Sequence, residues 1–311
     1  MNRLGGAEGL PVSAFCLGAL PFGTTVDEPT AFEILDRFVE AGGTFIDTAD
    51  NYACWEEGAT GHESEQVLGR WLADRKLRDQ VVLATKVGAR PCGTGREGLA
   101  ARTVRSGIEG SLRRLGTDHV DLYYAHIADP GTPQEETVAA FSALVTEGRT
   151  RMLGCSNHSV GELRRARTLA ADEGLAPYRV IQQRHSYLRP RADADFGVQK
   201  YVTDDLLAYV ADQPDLSLLG YSTLLSGAYT RANRPFQEQY DRPDKARRLG
   251  ALREIAAELG ATPNQVVLSW LLHGEPPVLP VLGVSSVGQL EECLAAADLD
   301  LGPELRKRLD L

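Results

Sequence analysis

The sequence predicts an α/β fold, a single (β/α)₈ (TIM) barrel with long βα loops at its C-terminal mouth, on three observations. Short aliphatic or β-branched runs alternate with longer amphipathic stretches from one end to the other. Eight such runs are each followed by a helical stretch, the pattern of parallel strands joined by crossover helices. No linker, composition shift or internal repeat divides the 311 residues, so 1–311 is read as one domain. A barrel of this kind takes about 250 residues or more. A doubly wound sheet usually has fewer strands and carries its Gly-rich turn directly after the first.

In order, the run Ser13–Leu17 precedes the helix Thr30–Ala41, which Gly42-Gly43 stops, and Thr44–Ile46 precedes Ser64–Leu72. Val81–Thr85 leads to Thr103–Leu115, closed by Gly116, and Val120–Tyr124 leads to Thr137–Thr146, closed by Gly148. Arg151–Gly154 precedes Val160–Ala171, and Val180–Ile181 precedes Asp204–Val210. Ser217–Gly220 is followed by Leu249–Leu259, stopped by Gly260. A further helix, Asn264–His273, takes Thr262 as N-cap and Pro263 in its first turn. Val278–Leu282 and Val287–Ala296 complete the set.

With 33 basic and 43 acidic residues the formal charge is −10, which argues against a nucleic-acid partner. The densest basic cluster, Arg164, Arg165 and Arg167, reads as a solvated helix face. No apolar run reaches the ~18 residues of a membrane span. Met1–Pro11 is too polar and Gly-rich for a signal peptide. The five cysteines (16, 54, 92, 155 and 293) form no Cys-x-x-Cys pair, so free thiols in a reducing cytoplasm and no metal clip are expected.

In such a barrel the chemistry sits where the strands end. There the sequence places Asp47, Lys86, His126, Ser156 with Asn157, Gln182 and Tyr221. A barrel built only for stability would not require ionisable or amide side chains at most of its strand ends. Tyr52 lies five residues beyond Asp47, close enough for a short loop to fold its phenol over the mouth. A phenol with its usual pKa of ~10 is a poor proton donor at neutral pH. A nearby ammonium is expected to lower that pKa, and a carboxylate to hold the ammonium charged and in place. An imidazole beside the phenol can orient a carbonyl oxygen.

At this point the chain resembles the aldo-keto reductases, from about Leu17 to the C-terminus. The resemblance rests on Gly43-Thr-Phe-Ile-Asp-Thr-Ala-Asp-Asn-Tyr52, Ala84-Thr-Lys-Val-Gly88, Asp121-Leu-Tyr-Tyr-Ala-His126, Gly154-Cys-Ser-Asn157 and Gly220-Tyr-Ser222. Any one of these is weak, and their order around a barrel makes the set specific. The resemblance implies an NADP(H)-dependent oxidoreductase reducing an aldehyde or ketone, with a catalytic tetrad of Asp47, Tyr52, Lys86 and His126. Hydride would pass from the nicotinamide to the carbonyl carbon and a proton from Tyr52 to the oxygen. Ser156, Asn157 and Gln182 would hold the carboxamide, with Gln183 open as an alternative to Gln182, and Tyr221 would stack on the nicotinamide. Gly18 and Leu20 match backbone contacts beneath the cofactor, and Ser222, Leu225 and Gly227 match its pyrophosphate loop. Gly283, Ser285, Gln289 and Glu292 match the stretch that holds the adenosine 2′-phosphate at a helix start.

Two departures bear on that reading. The family often carries Arg or Lys where Ser285 stands, so the 2′-phosphate would meet hydroxyls and backbone N–H groups, and NAD(H) stays open beside NADP(H). Three residues after Gln182 the family usually has Tyr, where this chain has His185, with Tyr187 two further on.

Other motifs are weaker. Gly93-Thr-Gly-Arg-Glu-Gly98 fits G-x-G-x-x-G but begins well beyond a strand end, and reads as a flexible mouth loop. His62-Glu63 lacks the second histidine of a zincin. The sequon Asn157-His-Ser159 falls in the expected cofactor pocket. His119 and His273 read as helix-end or surface residues, while His158 and His185 sit near the mouth, within reach of a ligand. Long loops over the mouth set substrate choice. Phe22, Trp55 and Tyr187 are the candidates to line the substrate pocket, and Thr223–Arg247 is expected to close over the pyrophosphate. Two other functions compete with a reductase. One is a nicotinamide-nucleotide-sensing binding subunit with little turnover; the other is a metal-dependent hydrolase or isomerase built on Asp47 and His126. Against the last, the strand ends carry no ligand-spaced His or carboxylate set. The partner is a small carbonyl compound, and oligomeric state is not legible.

Overall fold

Eight parallel strands close on one another in chain order, so the fold is the predicted (β/α)₈ barrel. The computed structural model describes residues 2–310. The strands are β1 (Cys16–Gly18), β2 (Phe45–Asp47), β3 (Val82–Val87), β4 (Val120–Ala125), β5 (Thr150–Ser156), β6 (Tyr178–Arg184), β7 (Ser217–Tyr221) and β8 (Val278–Gly283). β8 pairs with β1 through Val281 with Cys16, Leu282 with Leu17 and Gly283 with Gly18, which seals the ring. Around it run α1 (Glu28–Glu40), α2 (Glu63–Arg75), α3 (Ala101–Leu115), α4 (Gln134–Thr146) and α5 (Val160–Asp172). They continue with α6 (Asp204–Ala211), α7 (Lys245–Glu258), α8 (Pro263–Leu272), α9 (Val287–Leu294) and α10 (Gly302–Leu309). No helix among the described residues is long and apolar enough to cross a membrane.

The local chemistry accounts for these boundaries. Asp27 caps α1 by accepting from the Thr30 N–H at 3.0 Å, so the helix begins at Glu28, two residues before the predicted start. Thr262 and Gln265 form a capping box at α8, with Pro263 in the first turn as predicted. The first strand begins at Cys16 rather than Ser13, because Ser13 is tied into a turn: its hydroxyl donates to the Phe15 carbonyl at 2.7 Å. Besides short 3₁₀ turns, the structure adds to the predicted set α10, a hairpin of Asn2–Leu4 with Leu10–Val12, and a short hairpin of Pro91–Cys92 with Gly95–Arg96. The last occupies the segment expected to be a flexible loop.

Strand alternation sorts the core into two layers. Inward-facing residues such as Phe45, Ala84, Leu122 and Val180 fill the barrel, and Leu4, Leu10 and Val12 of the N-terminal hairpin pack into the same cluster. Outward-facing neighbours such as Ile46, Leu83, Tyr123 and Ile181 join the larger core beneath the helices. Two residues further along their strands, past Phe45, Ala84 and Val180, the inner face presents Asp47, Lys86 and Gln182. Tyr124 fills the space under them. A Cβ at position 154 would stand 2.6 Å from its ring, so only glycine fits on β5 there.

Candidate active site

A cavity of about 870 Å³ opens at the C-terminal ends of the strands, large enough for a dinucleotide and a small substrate. At its floor Lys86 is wholly buried and pairs with Oδ2 of Asp47, itself wholly buried. The same ammonium donates to the Tyr52 phenol oxygen, and to the Thr48 carbonyl at 2.8 Å. The Tyr52 hydroxyl in turn donates to Asp47 Oδ2 at 2.9 Å. Oδ1 of Asp47 accepts from Gln182 Nε2 at 3.2 Å. Both oxygens of a fully buried carboxylate are therefore satisfied, the condition for keeping a charge at that depth.

Tyr52 and His126 line the cavity with their rings edge-to-face, centroids 6.0 Å apart. Burial, followed by the charge of Asp47, pushes the Tyr52 phenol well above its ordinary pKa. This reverses the expected effect of the ammonium: desolvation is the largest cause, and the Asp47 carboxylate that accepts the phenol's hydrogen bond adds to it. Burial lowers the Lys86 pKa, with Asp47 opposing. His126 is held well below the usual imidazole value by burial, then by Lys86 and by Arg96. Its Nδ1 is buried without a partner, leaving Nε2 as the ring nitrogen that faces the cavity. The floor thus holds a protonated phenol beside a neutral imidazole.

Gly18, Leu20, Ser156, Asn157, Gln182, Tyr221, Ser222 and Gly227 line the cavity, as do Gly283, Ser285, Gln289, Glu292 and Trp55. Asn157 is a junction: its amide donates to the His126 carbonyl and the Ser156 hydroxyl, each at 3.0 Å, and its Oδ1 accepts from Tyr221 at 2.8 Å. Alternation on β6 resolves the choice between the glutamines. Gln182 points inward, whereas Gln183 points away, accepting from the Asn157 N–H and donating to the His158 carbonyl.

Several expectations fail here. Phe22 is fully buried in the core beneath the helices, because the turn at Pro21–Gly23 sends Leu20 to the mouth in its place. Tyr187 is buried against Trp270, its hydroxyl donating to the Leu309 carbonyl at 3.0 Å, so it lies outside the cavity. The Leu225 side chain is also in that core: the chain passes through left-handed conformations at Leu225, Ser226 and Gly227, and Leu224 and Ser226 line the cavity instead. His158 and His185 are buried outside the cavity as well. His158 Nδ1 is bonded to the Ser156 carbonyl, and the His185 ring packs near Trp270.

The sequence reading also missed two lining cations, Arg96 and Arg231. Arg231 follows β7 and packs against Gly227, where a Cβ would come within 3.1 Å of its side chain. Among the described residues its guanidinium has no carboxylate within ion-pair distance. On the same side of the mouth, the Ser285 N–H and hydroxyl both donate to Gln289 Oε1, at 2.9 and 3.2 Å, and Ser286 caps α9.

Residues 14–310 match the model of the aldo/keto reductase family. The chain is 33% identical to an uncharacterized oxidoreductase, YrpG, of Bacillus subtilis, covering 98% of this chain and 93% of that protein. It is 32% identical to the norsolorinic acid reductase stcV of Emericella nidulans, over 95% of this chain and 77% of that one. Identity to the aldo-keto reductase str7 of Strobilurus tenacellus is 31%, over 91% and 81% of the two chains.

Proposed function

Because the chain belongs to the aldo/keto reductase family and is an oxidoreductase, we propose that it reduces an aldehyde or ketone with NADPH, Tyr52 giving the proton. The observation that carries this reading is the Tyr52 hydroxyl, facing the cavity beside His126 while resting on the buried Lys86–Asp47 pair. When bound, NADPH supplies the hydride that the carbonyl carbon receives.

The rest falls to side chains. His126 Nε2 donates to the carbonyl oxygen and orients it, as a neutral imidazole does without adding charge to the pocket. Tyr52 turns its O–H from Asp47 Oδ2 to the same oxygen and releases its proton as negative charge gathers there. Lys86, already donating to the phenol oxygen, stabilises the phenolate that results; Asp47 keeps the ammonium charged and placed. This environment binds the developing charge more strongly than the ground state, which is what lowers a barrier.

The cavity also fits a dinucleotide by its own chemistry. Ser156, Asn157 and Gln182 offer amide and hydroxyl groups to a carboxamide, and the Tyr221 ring offers an apolar face. In the left-handed run Leu225–Gly227 the N–H groups of Leu225 and Gly227 are held by the Ser222 and Leu224 carbonyls, and Ser226 is the residue turned to the cavity, where its hydroxyl can meet an anion. Arg231 supports a phosphate there, in place of the cation missing at Ser285. The carboxamide, ring and pyrophosphate contacts serve NADH and NADPH alike, so the preference for NADPH rests on Arg231 meeting the 2′-phosphate, and the segment Thr223–Arg247 becomes the strap over the pyrophosphate.

The test is to titrate the protein with NADPH and with NADH, following tryptophan quenching, and then to add a panel of aldehydes and ketones. Tighter binding of NADPH and oxidation that depends on the carbonyl are expected. Tight binding with no turnover on any carbonyl would contradict the reductase and favour a nucleotide-sensing subunit.

A further inference from the structure

The two arginines of the cavity stand on opposite sides of the mouth. Arg231 follows β7, whereas Arg96 lies on the hairpin after β3, and these strands face each other across the eight-membered ring. Arg96 is therefore set apart from the loops offered to the cofactor and lies on the side of His126. Its Nη1 donates to the Ala89 carbonyl at 2.6 Å. Among the described residues it has no carboxylate within ion-pair distance, although the chain carries a net charge of −10. It is close enough to the His126 imidazole to help hold it neutral.

The cavity it lines also carries apolar side chains. Leu20, Trp55 and Val198, at 41%, 63% and 45% exposure, are the exposed large hydrophobic side chains among the described residues, and all three line this cavity. Apolar side chains left to solvent at the mouth that Arg96 also lines form a surface that water solvates poorly and an amphiphilic ligand would cover. A guanidinium offers a planar fork that matches a carboxylate, and it cannot lose its charge.

We propose, resting on the reductase reading, that Arg96 selects carbonyl substrates with an apolar body and a carboxylate, holding that carboxylate while His126 and Tyr52 meet the carbonyl. Arg96 thus determines specificity and takes no part in hydride or proton transfer.

The test compares 3- and 4-carboxybenzaldehyde with their methyl esters at saturating NADPH, using the full chain. The wild type should favour the acid over its ester in kcat/KM by about tenfold or more for at least one isomer, mainly through KM, and added salt should shrink the preference. In Arg96→Gln the ratio should fall to about one, and Arg96→Lys should restore part of it. A merely structural tie to Ala89 would slow acid and ester alike and leave the ratio unchanged, which would overturn the proposal. Equal use of acid and ester by the wild type would overturn it too, while leaving the reductase reading intact. Reduction of neither aldehyde, nor of any other carbonyl, by a chain that binds NADPH would overturn both.

Discussion

Gln182 Nε2 donates to Asp47 Oδ1 across the barrel, from β6 to the strand that faces it, β2. A residue matched to cofactor contact thus also completes the solvation of the buried carboxylate beneath the phenol. Replacing it leaves one lone pair of that carboxylate without a donor. A hydrogen bond to a charged group contributes about 1.5–3 kcal/mol. Gln182→Ala should therefore lower kcat by about tenfold or more with any carbonyl substrate. Steady-state kinetics at saturating NADPH check this, and an unchanged kcat would show that Asp47 has no need of the amide.

Lys86 and Asp47 should not be equivalent in stability. Lys86→Met leaves a charged carboxylate buried without its cation, which costs about 3–5 kcal/mol. Asp47→Asn leaves an ammonium whose pKa burial already lowers, so the group can shed its proton and avoid most of the penalty. Denaturant unfolding at neutral pH should place Lys86→Met clearly below Asp47→Asn. The reverse order would mean that the lysine keeps its charge when the carboxylate is gone.

The pH profile follows from the same surroundings. The His126 pKa is lowered well below 6.5, so the imidazole stays neutral throughout the range where an ordinary histidine titrates. The Tyr52 pKa is raised above 10, so the phenol keeps its proton until alkaline pH. The reductive kcat should be flat from about pH 6 to 9, with no inflection near the ordinary histidine value of ~6.5. A step there that is lost on replacing His126 would contradict the assignment of a neutral imidazole.

Cofactor choice gives a two-sided prediction. Arg231→Ala should weaken NADPH more than NADH if its guanidinium serves the 2′-phosphate, and both alike if it serves the pyrophosphate. Ser285→Arg adds a cation at the start of α9 and should raise the preference for NADPH. Fluorescence titration of each variant reads both effects, and a preference unmoved by either substitution would put the phosphate elsewhere.

The barrel was legible because each strand carries an apolar run and four of the helices a glycine stop signal, and these are local properties. Asp47, Lys86 and Gln182 were legible because alternation with period two carries the inner face from Phe45, Ala84 and Val180 to the mouth. The turn between Leu20 and Phe22 broke that logic, and nothing local told which of the two would face the cavity. Tyr187 was misplaced for a similar reason: its hydroxyl is claimed by α10, a helix the sequence reading did not include. Arg231 sits in a loop without a motif and Arg96 inside Gly93-Thr-Gly-Arg-Glu-Gly98, which read as a flexible loop, and only the closure of the ring brings them to the cavity. The direction of the Tyr52 shift likewise depended on burial, which spacing alone does not report.

The most direct test of the account is kcat for NADPH oxidation with a reducible aldehyde in Tyr52→Phe, measured beside NADPH affinity in the same protein. The ring is kept and only the donor is lost. Turnover should fall by on the order of 10²–10⁴ while affinity for NADPH stays nearly intact. Full activity in Tyr52→Phe would contradict the account, because the group resting on Lys86 and Asp47 would then not be the acid.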